Sequence, residues 1–538
     1  MDKLKRSALF PFLFALFPLL ALWASNVEYI APWMTLRVVI ITLAATCIGY
    51  FSLRYTYKSS VKAGIFVCVL LLIFFSYGHL YRMFDERVFF GFLPIRHRTL
   101  VALSIVLIGL TIWLLKRMRS NQDGIILPLN LIAGLALVYP LITIIGYQAA
   151  TANPGARSND QASDPNIPSA SIPVLDTKTI GYKPDIYYII LDSYTRADIL
   201  QECFSYDNSE FLDQLRGLGF YIADKSRTNY TITDLSLASS LNMDYPSQIG
   251  AKPEDAANNA MLAYWIRNST VLHALKKIGY KTVAFDTGYS PTDWADADHY
   301  FSPAKGINRF LSGINSYESM LMETSAGVIL FETRRYLPNS LKMMLDSAYM
   351  LHRARILNIF QELGSVADID EPTFTFAHIL APHNPFVFGP QGEYVSRNVP
   401  FTLNDDQAIK SGYRYIREYS GQVTYINTRT IEAVKAILER SSKPPIIIIQ
   451  GDHGASRWVT SKAGRSDILN AYYIPVKAEG LYEKITPVNS FRVVFNSVYN
   501  TSLPLLKDQT FYTTHSTIDT LLPVGNSKRM CNPAYQKK

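Results

Sequence analysis

The chain has 538 residues and a formal net charge of +8, with 49% hydrophobic and 18% charged residues. The basic surplus comes with no basic aromatic repeat and no nucleic-acid motif, so it is assigned to membrane-flanking loops and anionic lipid or glycan partners, and nucleic acid is not an expected partner. Four cysteines are sparse for such a length and lack the spacing of a zinc ribbon.

Five hydrophobic segments, 9–24, 36–53, 63–80, 100–115 and 125–147, approach the roughly 20 residues that span a bilayer. They predict a membrane domain of about five helices over 1–148. Further spans follow the first without a small-residue cleavage site, so that segment is expected to be an anchor and not a removable signal. Lys3, Lys5 and Arg6 precede the first span, Arg54, Lys58 and Lys62 separate the second from the third, and Lys116, Arg117 and Arg119 follow the fourth. The excess of Lys and Arg makes these loops cytoplasmic and places everything after Tyr147 outside the cytoplasm. The stretch 81–98 runs against that rule, with Arg82, Arg87, Arg96 and Arg98 on the expected outer side among Phe84, Phe89, Phe90, Phe92 and Leu93. It is read as an interfacial segment suited to anionic headgroups.

A polar stretch over 149–183, rich in Ala, Ser, Asp, Asn and Pro, has no apolar period and reads as a linker. The remainder, 184–538, is long enough for one large α/β domain. Its first strand is the near-continuous apolar run 184–191, which ends in Asp192-Ser193. At 212–221 and again at 273–285 a helical pattern stops at a glycine, Gly219 or Gly279, and a strand follows, as a parallel α/β sheet requires. Cys203 and Cys531 fall in this outer domain and can form one disulfide, whereas Cys47 and Cys68 sit in predicted spans.

Segment 227–242 is dense in hydroxyls and small residues, with Thr231, Thr233 and Ser236 near a candidate helix start. The acidic run 292–299 contains Asp293, Asp296, Asp298 and His299 and reads as a solvated loop; with His515 it holds the remaining candidates for a second metal, and one metal is the expectation. A strand over 373–380 carries His378 and runs into a loop with Pro382, His383 and Pro385. A helix over 425–439 then precedes a β-branched strand, 445–450, tipped by Gly451-Asp452-His453-Gly454. Ligands of parallel sheets bind beyond the carboxyl ends of the strands. A carboxylate beside an imidazole at such an address suits a divalent cation such as Zn²⁺ or Mn²⁺. Asp192 joins Asp452 and His453 if their strands are neighbours.

Strand-borne Asp192, the hydroxyl-rich helix start and the Gly-Asp-His-Gly strand, in that order, resemble the alkaline phosphatase superfamily. Within it the chain is similar to membrane-anchored sulfatase-like transferases, the group that contains lipoteichoic acid synthases and phosphoethanolamine transferases. The resemblance implies an α/β three-layer sandwich with a mostly parallel sheet behind the helical membrane domain. It implies a Thr or Ser nucleophile at a helix N-terminus, and Thr233 is preferred to Thr231 because Tyr245-Pro246 follows it at the family's interval. It further implies one divalent metal ion, Zn²⁺ or Mn²⁺, held by Asp192, Thr233, Asp452 and His453. His378 and His383 are assigned to binding the phosphate or sulfate and assisting the leaving group, with Asn229 as a further substrate contact.

Elementary chemistry agrees with those assignments. Metal coordination and the positive end of a helix both favour the alkoxide of an otherwise weak Thr nucleophile, and imidazoles titrate in the range that general acids need. The Cys/Ser-x-Pro-x-Arg pattern of formylglycine sulfatases is missing around Thr233, and Asp192 stands where the membrane transferases carry Glu. The expected activity is transfer of phosphoglycerol or phosphoethanolamine from a membrane phospholipid to an envelope glycan or lipid. The alternatives are a sulfatase or phosphodiesterase that hydrolyses an envelope ester, and a non-catalytic scaffold for envelope assembly that keeps the sulfatase-like domain.

Overall fold

In this computed structural model the chain divides into two units: Met1–Ala149 with Gly306–Ala348 and Arg397–Thr402, and Ala150–Lys305 with Tyr349–Ser396 and Leu403–Lys538. All residues are described except 1–6, 28–29, 85–87, 90–92, 95–96, 119–122, 153–171, 180, 247–258, 304–312, 398, 404–411, 457–458, 515–516, 524–530 and 532–538. Outside the described residues therefore lie most of the linker, Lys3, Lys5, Arg6 and Arg119, the aromatic-basic centre of 81–98 (Arg87, Phe90, Phe92, Arg96), and His515.

In the first unit, helices α1 (Phe10–Ala24), α2 (Pro32–Tyr57), α3 (Ser60–Phe84), α4 (His97–Arg117) and α5 (Ile126–Ala152) fall on the five hydrophobic segments. Helices α2 to α5 are long and apolar enough to cross a membrane, and they make the chain an integral membrane protein. Side chains such as Ile48, Leu103 and Ile132 lie exposed on them, as expected of helices apolar on every face. Helix α1 has 15 residues, a rise of about 22 Å against a hydrocarbon thickness of about 30 Å, so it is shorter than a full span.

Residues 313–348 join this bundle although they lie far along the chain. The helix Ser316–Thr324 starts with a reciprocal capping box between Asn315 and Glu318. Its Tyr317 is buried and donates a hydrogen bond to Leu19 O at 2.8 Å. Arg37 near the start of α2 pairs with Glu318, Arg82 near the end of α3 pairs with Glu323 at 2.8 Å, and His97 at the start of α4 meets Glu332 at 2.7 Å. Start, end and start of three successive helices mark one end of the bundle, and this segment caps it.

The second unit is built on a seven-stranded sheet. Its strands are β1 (Ile186–Leu191), β2 (Tyr221–Ile222), β3 (Lys281–Phe285), β4 (His299–Phe301), β5 (Thr373–Ile379), β6 (Ile446–Gln450) and β7 (Asn470–Tyr473), in the order β2-β7-β6-β1-β5-β3-β4. Strands β6, β1, β5, β3 and β4 pair in parallel, while β7 runs opposite to its neighbours β6 and β2. Every residue of β1 and β6 is buried, which is why both read as continuous apolar runs and not as alternating ones.

The helices α6 (Ala197–Phe204), α7 (Ser209–Gly217), α8 (Thr233–Asn242), α9 (Thr270–Lys277), α10 (Gly412–Arg440) and α11 (Pro487–Tyr499) surround it. Ile186, Tyr188 and Ile190 of β1 pack with Leu235 and Leu241 of α8 and with Phe491 and Val494 of α11. The alternate residues Tyr187, Ile189 and Leu191 are equally buried, so the other face is covered as well. Helix α10 begins well before the 425–439 pattern, because its first half buries the phenols Tyr415 and Tyr419 and not an aliphatic stripe. Cys203 at the end of α6 is disulfide-bonded to Cys531 across 328 residues, fastening the C-terminal segment to the domain.

Candidate metal centre and nucleophile

Strand register sets the site. Ile190 pairs with Gln450 on one side of β1 and with His378 on the other. Two residues past the first of these pairs, Asp192 and Asp452 leave adjacent parallel strands at the same level, on the crevice side of the sheet. The turn after β1 is held tightly: Ser193 takes φ 65, which costs a non-glycine residue about 1 kcal/mol or more, and its N–H donates to Asp452 Oδ1 at 2.9 Å. Tyr419 of α10 donates to Ser193 O at 2.7 Å. The two glycines of the β6 tip serve close approach, since a Cβ at Gly451 would lie 2.4 Å from Tyr194 O and one at Gly454 2.9 Å from the carbonyls of Gly464 and Arg465.

Asp192, Asp452 and His453 are all buried and offer ligand atoms within 4.8 Å of one another. His453 Nδ1 lies 2.9 Å from Gly454 O. A carbonyl can only accept, so the proton is on Nδ1 and Nε2 presents a lone pair. That lone pair faces Asp452 Oδ2 at 3.5 Å and Asp192 Oδ1 at 3.8 Å. Both of those oxygens are buried without a hydrogen-bond partner. Three electron-pair donors turned on one another away from water repel unless a cation lies between them. Two hard carboxylates and one imidazole fit a divalent metal ion.

The protonation states agree. Burial opposes ionisation of Asp192, but His383, His378 and His453 outweigh it and bring its carboxyl down to about 2. Burial holds His453 below its ordinary value, with Asp452 pulling the other way and Arg465 adding to the depression. An ionised carboxylate and a neutral imidazole are the forms that ligate.

Helix α8 starts at Thr233, behind the extended residue Ile232. Thr233 Oγ1 lies 3.4 Å from His453 Nε2, so the hydroxyl reaches the same point as the carboxylates. One turn on, Ser236 Oγ donates to Asp452 O at 2.7 Å and meets Thr228 Oγ1 at 3.0 Å, which fastens the first turn of α8 to the tip of β6. Thr231 is buried, and its carbonyl accepts from Arg465 Nε at 3.2 Å.

His378 is buried near the end of β5, with Nε2 3.4 Å from Asp192 Oδ2 and Nδ1 2.9 Å from Thr292 Oγ1. His383 is half-buried; its N–H donates to Asp192 O at 2.9 Å and its ring centre lies 6.2 Å from that of His453. The structure thus gathers Asp192, Thr233, His378, His383, Asp452 and His453 around one point. Asn229 is engaged elsewhere: its amide donates to Thr486 Oγ1 and Gln509 O and its carbonyl oxygen accepts from Val488 N, a cross-link between the hydroxyl-rich segment and the C-terminal region.

Ser193, Thr292 and Arg465 border the site and carry no signal of it in the sequence, because only the fold brings them there. The acidic run is occupied with structure: Asp293 accepts from Tyr300, Asp296 pairs with Arg267, and Asp298 accepts from the Thr282 amide at 2.8 Å. Among the described residues the Asp192 cluster is the group placed to hold a metal ion.

The Sulfatase family model matches residues 184–476, more than half of the chain, including every residue gathered at this point. The chain belongs to the sulfatase family. It is therefore a sulfatase-like hydrolase or transferase carried by a membrane domain. No curated protein matches the chain. Among solved structures it is similar to the C-terminal periplasmic domain of EcEptC from Escherichia coli in complex with Zn, at 11% identity over 66% of this chain and 97% of that one, with a TM-score of 0.40. It is similar to the integral membrane protein lipooligosaccharide phosphoethanolamine transferase A from Neisseria meningitidis, at 12% identity over 87% and 88%, with a TM-score of 0.34. BT1596, a 2-O GAG sulfatase, matches at 12% identity over 60% and 72%, with a TM-score of 0.37.

Proposed function

We propose that this sulfatase-family protein transfers phosphoglycerol or phosphoethanolamine from a membrane phospholipid to an envelope glycan or lipid, outside the cytoplasm, through a covalent intermediate on Thr233. The observation that carries the reading is the approach of Thr233 Oγ1, at the first position of α8, to His453 Nε2 beside two partnerless carboxylate oxygens. Asp192, Thr233, Asp452 and His453 would hold one divalent ion, Zn²⁺ or Mn²⁺, which when bound lowers the pKa of the hydroxyl and offsets phosphoryl charge.

Deprotonated Thr233 Oγ attacks phosphorus in line with the bond to the diacylglycerol oxygen. That P–O bond breaks, its electron pair leaves with diacylglycerol, and a histidine protonates the departing oxygen. His383, half-buried, is the better-placed acid; His378, held between Thr292 and Asp192, orients the carboxylate. The acceptor hydroxyl, deprotonated by the same His383, then attacks the phosphothreonine and frees Thr233. The positive end of α8 and the Arg465 guanidinium beside Thr231 favour the anionic substrate.

Two observations support the side of the membrane. A structural disulfide, Cys203–Cys531, belongs to an oxidising compartment. Arg82, one of the four arginines of 81–98 that run against that placement, is matched by Glu323, which moderates the positive charge at the bundle end expected outside.

The deciding experiment incubates the full-length protein with labelled phosphatidylethanolamine and phosphatidylglycerol and follows diacylglycerol release. Loss of release in Thr233→Ala, with the fold retained, supports the reading; unchanged release sinks it. Release that proceeds equally without a glycan or lipid acceptor would make the protein a hydrolase. A folded wild type that binds no Zn²⁺ or Mn²⁺ would leave the scaffold reading.

A further inference from the structure

The stretch 330–344 carries large apolar side chains that the protein leaves uncovered. Leu330 is 38% exposed, Tyr336 72%, Leu341 39%, Met343 73% and Met344 41%. Single exposed apolar residues are ordinary on any surface, but five large ones within the fifteen residues 330–344 call for a partner. None of these residues belongs to the candidate membrane spans. The stretch nevertheless has a packed inner side, where Leu345 is buried with Ile314 and Phe331 and Arg334 pairs with Asp346. The uncovered side chains thus belong to a folded stretch, the end of the helix Val328–Glu332, the turn Arg334–Tyr336 and the start of the helix Asn339–Glu362.

Ion pairs just before and within the stretch fix its depth. Glu318, Glu323 and Glu332 pair with Arg37, Arg82 and His97, the charged residues at one end of α2, α3 and α4. Charges of this kind sit where a span leaves hydrocarbon for headgroups, so the segment that holds them lies in the headgroup layer. Arg335 is exposed and lies over the Tyr336 ring at 4.5 Å, and Lys342 stands within the row. Leu and Met flanked by Tyr, Arg and Lys is the composition of an element that dips apolar side chains below the phosphates while its cations stay at their level.

We propose that 330–344 is a monotopic membrane-interface surface, inserting Tyr336, Leu341, Met343 and Met344 among the lipids at that end of the bundle, with Arg335 and Lys342 set against lipid phosphates. The occupant is the bilayer, because the same unit contains four helices built to cross it and anchors this stretch to their ends. The inference rests on the membrane reading of those helices and is independent of the chemistry at Thr233.

The test uses full-length protein in nanodiscs of phosphatidylcholine and phosphatidylglycerol, with Cys47→Ala and Cys68→Ala removing the free thiols. A bimane label is placed through Met343→Cys and separately through Tyr336→Cys, so that failure of one variant to fold leaves the other. Lys435→Cys, on the exposed side of α10, is the control. The expected result is blue-shifted emission and several-fold stronger quenching by doxyl-labelled phospholipid at both sites than at the control. Solvent-like emission without quenching would overturn the proposal, and so would blue-shifted emission that doxyl lipid does not quench, which would mean that protein covers the row.

Discussion

Two buried carboxylate clusters in the catalytic unit meet the same electrostatic demand in opposite ways. Asp467 is fully buried and pairs with Arg196 at 2.6 Å and Arg227 at 2.9 Å, and Arg196 also grips Asp198 and donates to Ser226 O. Asp192 and Asp452 are buried as deeply, yet among the described residues their ion-pair partners are histidines alone. A buried charge without a counterion costs several kcal/mol. The chain supplies its own cation to the first cluster, whereas the proposed function has the second take a cation from solution. On that reading the difference separates a structural acid from a functional one.

The largest effect is expected at the second cluster. Asp452→Asn should abolish stoichiometric metal, read by elemental analysis, and lower phospholipid turnover by roughly 10³-fold or more, as removing one member of a catalytic unit commonly does. Its metal-free fold should be no less stable than that of metal-free wild type, because one of two facing carboxylates has been neutralised. Asp467→Asn should do the reverse: about 3–5 kcal/mol of stability lost, since Arg227 loses its carboxylate and Arg196 keeps only Asp198, with metal retained in whatever folds. Should Asp452→Asn keep its metal, or Asp467→Asn leave stability untouched, the distinction drawn from the ion pairs is gone.

Metal removal probes the same contrast without mutation. A ligand present at a thousandfold its dissociation constant stabilises the native state by about 4 kcal/mol. Chelation should therefore lower the apparent Tm of the wild type by several degrees, be reversed by Zn²⁺ or Mn²⁺, and change nothing in Asp452→Asn. An equal shift in both proteins would locate the bound metal elsewhere.

The strands that carry the site were legible because buried parallel strands are unbroken apolar runs, and β1 and β6 each end beside an Asp. Their pairing register, which puts Asp192 level with Asp452, is tertiary and follows from no local pattern. Ser193, Thr292 and Arg465 went unseen for that reason. Asn229 was drawn into the site by its neighbourhood, since amides and hydroxyls in a dense polar segment serve structural cross-links as readily as substrates; here it ties Thr486, Val488 and Gln509. The association of 313–348 with the membrane helices was hidden as well, because Glu318, Glu323 and Glu332 find their partners 235 to 281 residues away, and composition alone gives no sign of such pairing.

The smallest predicted effect concerns His352, buried on the helix Asn339–Glu362 close to the site. Burial, with Arg355 and His383 adding to it and Asp192 opposing, pushes this imidazole down to about 3. An unfolded chain takes up a proton there near pH 6.5, whereas the native protein refuses it until far lower pH. The native state is thus unpenalised above about pH 6.5 and loses about 1.4 kcal/mol per pH unit as the pH falls below it. The depressed carboxyl of Asp192 acts in a separate window, its contribution being lost only between about pH 4 and pH 2. In the metal-free Asp452→Asn background, where metal release cannot contribute, His352→Gln should flatten the fall of apparent Tm between pH 7 and pH 5, by about 2–4 °C per kcal/mol for a domain of this size. Parallel curves for the two proteins would mean that His352 takes up its proton in the native state as well, and that the catalytic unit accommodates a buried cation next to Arg355 as it does beside Asp467.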